Sequence, residues 1–408
     1  MVRIAFRDRP AVYAVTLAAH SSHEFRNSSA FLVLAASLSK CIRHADGQAA
    51  NRDPGYGSGK GFAMRSAIKV VSSVYYVRLV LIVFTTLLAV APFQLASAES
   101  LVIKDLGALP GSFNSSSALG INERAQVVGY SITASGSTHA CLFEKGVVTD
   151  LGTFPGGSIS TATAINNRGQ VVGSSSTARG NDHAFLYEHG AMTDLGTLPG
   201  GDFSSAAAIN ERGQVAGSAS NLRGYVHAAL FENGTVTDLG TLPGGTDSGA
   251  LGINNRGQVV GYSSTAGGFA HAFLYEHGVM TDLGTLQDSG LSHAQGINDR
   301  GQVIGISSTA SGDVHGFLYE HGVMTDLGTL PGRSDSNAFG INNRGQVVGE
   351  SDTGTSPYLP NAFLFEHGEM TNLGTLPGDN FSEAVGINES GQIAGNSTLH
   401  AILWTREK

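Results

Sequence analysis

The hydrophobic positions of this chain fall into short runs that repeat along most of its length. The stretch at 248–283 contains four such runs, SGALGI, QVVGYS, HAFLYE and VMTDL, each five or six residues long. Runs of this length predict β-strands, and the Asn-Asn-Arg-Gly and His-Gly segments between them predict tight turns. Apolar and polar residues alternate poorly within each run, which is typical of sheets buried on both faces.

Close copies of this unit fill the chain from Leu101 onward, about 44 residues apart. An Asn follows Ile at Asn122, Asn166, Asn210, Asn254, Asn298, Asn342 and Asn388. The third run opens at His139, His183, His227, His271, His315, Asn361 and His400. The residue before Leu-Gly is Asp105, Asp150, Asp194, Asp238, Asp282, Asp326 or Asn372. Seven copies of four strands predict an all-β fold, a seven-bladed β-propeller with four-stranded blades.

The two ends of the repeat region predict how the ring closes. The segment LVIKDLG (101–107) is a copy of the fourth run, and HAILW (400–404) is a copy of the third. The N-terminal strand is therefore expected to complete the last blade, which removes two open sheet edges. The runs richest in Ala and Gly, such as SGALGI, should lie nearest the axis, where space is smallest.

The residues before the repeats divide into two predicted segments. Residues 64–98 combine basic residues, the apolar run LVLIVFTTLLAVAPF and Ala96-Ser97-Ala98, which is the pattern of a secretory signal peptide. That run is shorter than the roughly 20 residues that cross a bilayer, so no stable anchor is expected after cleavage. Residues 1–63 are interpreted as a poorly ordered leader or an over-extended start, which leaves Met1 and Met64 as alternative starts. The mature propeller is then 99–408, in the periplasm or outside the cell.

The net charge restricts the binding partners that can be expected, and the cysteine content indicates the role of Cys141. Residues 1–98 hold 11 basic and 4 acidic residues (+7), whereas residues 99–408 hold 13 and 29 (−16). A surface that acidic repels phosphate backbones, so nucleic acid is excluded as the expected partner. Cys141 is the one cysteine of the repeats, in a place that Phe, Ala or Ile fills elsewhere. We expect Cys141 to be a buried residue that packs as a small apolar side chain. The protein is expected to be a monomer.

Three motifs of the unit resemble a known family. GIN-x-x-GQVVG, HAFLYE and TDLGTLPGG together resemble the bacterial HAF repeats, a family of probable extracellular repeat proteins, over about 101–405. The triplet departs from the family pattern as HAC, HAA, HGF, NAF and HAI at 139, 227, 315, 361 and 400. The resemblance implies export and a repeat architecture. It implies no activity and no catalytic residue.

The recurring His and Asp residues are predicted to pair within each blade. With His277-Gly278 as the turn, Phe273 faces Asp282, which makes His271 and Asp282 diagonal neighbours on one face. Histidines of adjacent blades should lie more than about 10 Å apart, too far to share a zinc ion, so no metal and no cofactor is expected. The predicted structural pairs are His139–Asp150, His183–Asp194, His227–Asp238, His271–Asp282, His315–Asp326 and His400–Asp105, with an Asn361–Asn372 pair in the remaining blade.

Variation between the copies indicates where a binding site would lie. Both short turns of each blade fall on one rim, so the longer, variable loops fall on the other. Blade 6 has two extra residues in its loop at 351–360, and blade 7 is five residues shorter there, which predicts a notch. The candidate ligand-binding residues around it are His293, Arg333, Asp335, Glu350, Asp352, Tyr358, Asp379, Phe381 and Glu383. The alternative is that these are ordinary solvated loop residues.

Three functions remain open at the level of sequence. The favoured one is an exported binding or scaffold propeller for a glycan or a protein. The second is a polysaccharide-active enzyme, a lyase or hydrolase, in which Glu350 and Glu383 would flank a cleft. The third is a purely structural surface repeat protein. The repeats themselves contain no coherent catalytic set, and a fold of this kind does not decide among the three.

Overall fold

The computed structural model describes residues 2–5, 14–17, 101–111, 115–287, 290–352 and 359–407. The chain separates into two compact units, Met1–Gln94 and Leu95–Lys408. In the first unit, strands β1 (Val2–Ala5) and β2 (Ala14–Leu17) pair antiparallel. The predicted signal peptide at 64–98 and most of the predicted leader at 1–63 lie outside the described residues.

The second unit is a β-propeller of seven four-stranded antiparallel sheets, as the repeat predicts. Blades 1 to 3 consist of β4 (Ser116–Ile121), β5 (Val127–Ile132), β6 (Thr138–Glu144), β7 (Val147–Gly152); β8 (Ser160–Ile165), β9 (Val171–Ser176), β10 (Asp182–Glu188), β11 (Ala191–Asp194); and β12 (Ser204–Ile209), β13 (Val215–Ser220), β14 (Val226–Glu232), β15 (Thr235–Asp238). Blades 4 and 5 consist of β16 (Ser248–Ile253), β17 (Val259–Ser264), β18 (Ala270–Glu276), β19 (Val279–Asp282); and β20 (Ser292–Ile297), β21 (Val303–Ser308), β22 (Val314–Glu320), β23 (Val323–Asp326).

The last two blades contain the ends of the repeat region. Blade 6 consists of β24 (Asp335–Ile341), β25 (Val347–Asp352), β26 (Asn361–Glu366) and β27 (Glu369–Asn372). Blade 7 consists of β28 (Ser382–Ile387), β29 (Ile393–Ser397), β30 (His400–Arg406) and the N-terminal strand β3 (Leu101–Asp105). Strand β3 pairs with β30 in a register that places Ile103 opposite Trp404. The predicted closure of the ring by the N-terminal strand is confirmed.

The hydrophobic core lies between neighbouring blades. One cluster, for example, joins Ala216 and Ala228 of blade 3 to Ala250, Val259 and Phe273 of blade 4. The phenyl ring of Phe273 is fully buried, and burial of such a side chain contributes about 1.5–3 kcal/mol. Because each sheet packs against a neighbour on both faces, the alternation of apolar and polar residues is lost.

Two kinds of short turn form one end of the ring. His277 and Gly278 both have positive φ (51° and 83°), which is the geometry of a type I′ hairpin turn, and Gly257 closes the other turn at φ 80°. These turns define the short-turn rim, and the loops such as 265–269 and 239–247 define the long-loop rim. Blade 7 joins its second and third strands through Thr398 and Leu399 alone.

Candidate functional site

The repeated His and Asp side chains meet within blades and fasten the third strand to the fourth. Asp282, for example, contacts His271 on the third strand and also accepts a hydrogen bond from Gly284 N through Oδ1 (2.8 Å). One carboxylate therefore holds the strand pair and the turn that follows. The His Nδ1 to Asp carboxylate distances are 2.9 Å for His139–Asp150, 2.8 Å for His183–Asp194, 2.9 Å for His227–Asp238, 2.9 Å for His271–Asp282, 2.9 Å for His315–Asp326 and 3.1 Å for His400–Asp105.

Blade 6 differs at this position. Asn372 Oδ1 accepts from Gly374 N (2.7 Å), as the Asp of the other blades does. Asn361 Oδ1 accepts from Arg333 Nη2 (2.5 Å). Among the described residues the two Asn side chains therefore have different partners, and the expected Asn361–Asn372 pair is replaced by a contact with the preceding loop.

Two further sets of repeated polar residues join neighbouring blades. Ser292 Oγ accepts from Ala272 N of the preceding blade (2.9 Å), and Ser116 Oγ closes this set by accepting from Ala401 N (3.1 Å). On the short-turn rim, Asn254 Nδ2 donates to Asn298 O of the next blade (3.0 Å). The equivalent bonds continue around the ring to Asn388 and Asn122. These bonds explain why this Ser and this Asn recur in every copy. The bonds between blades were not predicted from the sequence.

Two positions on the seven innermost strands differ strongly between the copies. The residue that follows the recurring Ser near the start of each strand, close to the long-loop rim, forms a set that we call the mouth ring: Ser117, Thr161, Ser205, Gly249, His293, Asn337 and Glu383. The residue two positions further along each strand lies deeper, at a β-bulge, and forms what we call the waist ring: Leu119, Thr163, Ala207, Leu251, Gln295, Phe339 and Val385. The mouth ring is polar apart from one glycine, and the waist ring is largely apolar.

These innermost strands enclose a central cavity of about 540 Å³. All seven waist residues line it, and Glu383 lines it from the mouth ring. Cavities of this size with mostly apolar walls and a few placed polar groups are typical of small-ligand sites. The cavity extends from the waist ring towards the short-turn rim, along Gly120, Ile121 and their equivalents, and Glu383 lies at the end nearer the long-loop rim. The candidate site is therefore this cavity together with Glu383, rather than the loops alone.

An aromatic pair lies beside this mouth. The ring of Tyr262 in blade 4 stacks on His293 in blade 5, with ring centroids 4.6 Å apart and an interplanar angle of 29°. Gly249 makes room for the tyrosine, since a Cβ there would come within 2.9 Å of the phenol ring. Burial lowers the pKa of His293 below its ordinary value and favours the neutral imidazole.

Two carboxylates lie on neighbouring blades, each held by an Asn. Asn337 Nδ2 donates to Glu350 Oε1 (2.9 Å), and Asn396 Nδ2 donates to Glu383 Oε1 (2.7 Å). Glu350 is only 5% exposed and does not line the cavity, whereas Glu383 is half-buried and does. Burial raises the pKa of Glu383, and the hydrogen bond from Asn396 partly opposes that shift. Among the residues that the structure describes, Glu383 is thus the one acidic side chain that lines the cavity.

The other candidate residues lie in the loops of the long-loop rim or at the strand ends next to them. Arg333 Nη1 lies 3.9 Å from Asp352 Oδ1, and Asp352 is opposite Asp335 in the sheet register. Asp335 Oδ1 accepts from Val314 N (2.8 Å), so this network joins blades 5 and 6.

Blade 7 holds the last two candidates that the structure describes. Asp379 Oδ2 accepts from Ser397 Oγ (2.7 Å), and the backbone oxygen of half-buried Phe381 accepts from the same hydroxyl. Tyr358 lies outside the described residues. The structure thus places His293 and Glu383 in the mouth ring and Glu350 behind it, while the loop residues mostly contact one another.

Sequence reasoning missed Tyr262, Asn337, Asn396 and the waist ring. Alignment of the copies contains a signal for them, because the position of Tyr262 is Tyr, Ser, Ser, Tyr, Ile, Glu and Asn in turn. That variation becomes meaningful only once the strands are known to face a cavity.

Cys141 is fully buried, and its surroundings disfavour the thiolate. Burial, together with the charge of Asp150, raises the pKa of the thiol to about 12. A thiol that stays protonated is a poor nucleophile and a poor metal ligand. Among the described residues, no group of three or more His, Cys, Asp and Glu side chains is arranged to hold a metal ion. Within the same residues, no helix is long and apolar enough to cross a membrane.

Comparison with known proteins bears on the fold. No protein-family model matches the chain, and no curated protein matches it. Similar solved structures include the β-propeller domain of a trilobed protease from Pyrococcus furiosus, with TM-score 0.44 and 11% identity over 63% of this chain and 81% of that one. A gluconolactonase from Xanthomonas campestris has TM-score 0.40 and 10% identity over 78% and 94%. TolB from Acinetobacter baumannii has TM-score 0.39 and 11% identity over 74% and 66%. These similarities assign no activity to this chain.

Removal of the tyrosine ring is expected to change the titration of His293. In Tyr262→Ala the imidazole becomes more exposed, so we expect its pKa to rise towards the ordinary value of histidine. NMR titration of the imidazole protons measures this directly. Tyr130→Ala, at the equivalent position of blade 1, is the matched control and should leave the pKa of His293 unchanged. An unaltered pKa in Tyr262→Ala would show that the stack does not bury the ring.

Proposed function

We propose that this protein is an exported binding propeller whose ligand, a glycan or a protein, engages the long-loop mouth of the central cavity. One observation carries the proposal. The Asn, Ser and His–Asp residues that recur in the copies hold strands and blades together, whereas the two inner-strand positions that differ most form the mouth and waist rings of the cavity. Export is proposed from the signal-peptide pattern of residues 64–98.

The binding role is tested by a survey of glycans and protein ligands against the intact ring and two variants. His293→Ala alters the mouth and should weaken binding of any captured ligand by about tenfold or more, the effect of losing a central contact. Glu211 lies on the short-turn rim, where its carboxylate accepts from Asn167 N, so Glu211→Ala is the matched control and no change in binding is expected. Loss of binding in Glu211→Ala with full binding in His293→Ala would place the site on the opposite rim.

The second candidate is a polysaccharide-active enzyme, and the raised pKa of Glu383 favours it because general acids need such a shift. Glu350, the other carboxyl of the pair, is 5% exposed and lies behind the mouth. A substrate in the cavity would contact Glu383 without an equally accessible partner. Binding is therefore the better supported function. Release of sugar products from a polysaccharide panel, abolished by Glu383→Gln, would reverse that order.

A further inference from the structure

One side of the central cavity is an apolar wall, which favours a ligand with an apolar group. Phe339, Val385 and Leu119 project from the neighbouring inner strands of blades 6, 7 and 1, and each is half-buried against the cavity. Leu251 of blade 4 lines the cavity from across the ring. Three adjacent apolar side chains form a wall that water wets poorly, and covering it with an apolar group is favourable.

Glu383 stands at the mouth end of this wall. It precedes Val385 by two residues on β28, so the carboxylate and the apolar wall belong to one continuous surface. Asn396 fixes the carboxylate through Oε1, and Asn396 is itself anchored to Ala118 of blade 1 by two hydrogen bonds (2.8 and 3.1 Å). The side chain is thus held in place before any ligand arrives, which lowers the entropy lost on binding.

The strands beside Glu383 and the loop before them carry more acidic than basic side chains. Strand β25 packs against β28 and carries the carboxyl groups of Glu350 and Asp352, and Asp335 lies on the neighbouring β24. Arg333 is 3.9 Å from Asp352, and it donates to Asn361. A half-buried carboxylate loses hydration, and a cationic group within contact distance restores the electrostatic stabilisation that burial removed.

We propose that the central cavity binds a small amphipathic amine, with its ammonium group on Glu383 and its apolar body against Val385, Phe339 and Leu119. This rests on the proposed binding function of the cavity and assigns the cavity a small-molecule ligand in place of a glycan or a protein. A polar mouth above an apolar waist fixes the orientation, because the reverse insertion would place the ammonium group among apolar side chains. The cavity of about 540 Å³ has room for a phenylalkyl or short alkyl body.

Isothermal titration calorimetry on the full chain tests the proposal with three probes. They are 2-phenylethylamine, its neutral analogue 2-phenylethanol, and ethylamine, which has the ammonium group without the body. We expect 2-phenylethylamine to bind at least tenfold more tightly than either of the others. In Glu383→Gln the preference for the amine over the alcohol should fall to about onefold. Glu211→Gln, at the other rim, should retain the full preference.

Two further measurements make the outcome decisive: the melting temperature of Glu383→Gln, and the binding of glycans and proteins to His293→Ala. Gln retains an oxygen that can accept from Asn396, and it removes a carboxylate whose ionisation burial disfavours, so Glu383→Gln should melt at or above the wild-type temperature at pH 7. A loss of preference in a folded Glu383→Gln variant supports the amine site. Equal binding of amine and alcohol, or no binding of either, overturns it. If glycans or proteins still bind and His293→Ala weakens them, the binding function stands and only the amine is wrong.

Discussion

Replacing Ile103 by Asp is expected to open the ring and to lower the free energy of unfolding by about 3 kcal/mol or more. Ile103 packs on the cluster around Trp404, and it lies opposite that residue in the pairing of β3 with β30. The substitution removes an apolar side chain worth about 1.5–3 kcal/mol and brings a carboxylate against the same surface. Urea unfolding followed by tryptophan fluorescence measures the change, since Trp404 is the single tryptophan.

Val102→Asp is the matched control for this experiment. Val102 is the neighbouring residue on the same strand, but its side chain points outward and is 41% exposed. A carboxylate there stays in water, so we expect a change within about 0.5 kcal/mol, as for other surface substitutions. If the two variants lose the same stability, β3 does not pack on blade 7 and the closure described above is wrong.

Asn254→Ala is expected to destabilise the ring by roughly 2–4 kcal/mol. The side chain is 3% exposed, and its Oδ1 accepts from Arg256 N and Gln258 N, both at 3.0 Å. Its Nδ2 donates to Asn298 O in the next blade. Alanine leaves these buried groups without that partner, and each such group costs about 1–3 kcal/mol. Equilibrium unfolding in urea gives the difference.

The control for this variant is the next residue along the chain. Asn255 also bridges two blades, since it accepts from Glu211 N (2.8 Å) and donates to Asp299 Oδ2 (2.9 Å), but it is exposed. Water can replace those bonds in Asn255→Ala, so we expect a loss below about 1 kcal/mol. Equal losses in the two variants would mean that the buried Asn ring contributes nothing beyond an ordinary surface turn.

Much of the fold was predictable because seven copies repeat one pattern. Two ends that are copies of the fourth and third runs sufficed to predict the closure by β3. Local geometry also predicted the strand register. A two-residue turn at His277-Gly278 determines that Phe273 faces Asp282, and this is the observed register. Predictions of this kind depend on residues close in sequence or on an exact period, and neither requires knowledge of how sheets pack.

The candidate site was harder to predict because its contacts cross between blades. Tyr262 stacks on His293 only because Gly249 leaves space and blade 5 lies against blade 4. The bulge that places Leu251 at the waist interrupts the pairing of β16 with β17 between Ala250 and Gly252. No pattern of residues in the sequence predicts this bulge. Arg333 reaches Asn361 across a loop, which sequence spacing does not reveal. Variation between copies drew attention to His293 and Glu383, which lie near the long-loop rim, but not to the cavity beneath them.

The most direct test of the account is a crystal structure of residues 99–408 soaked with a panel of sugars, amines and metal ions. The account predicts ligand density at the mouth of the central cavity, against Glu383 and on the long-loop side of the waist ring. Density confined to the short-turn rim, among the Asn and carboxylate side chains that follow the inner strands, would contradict it.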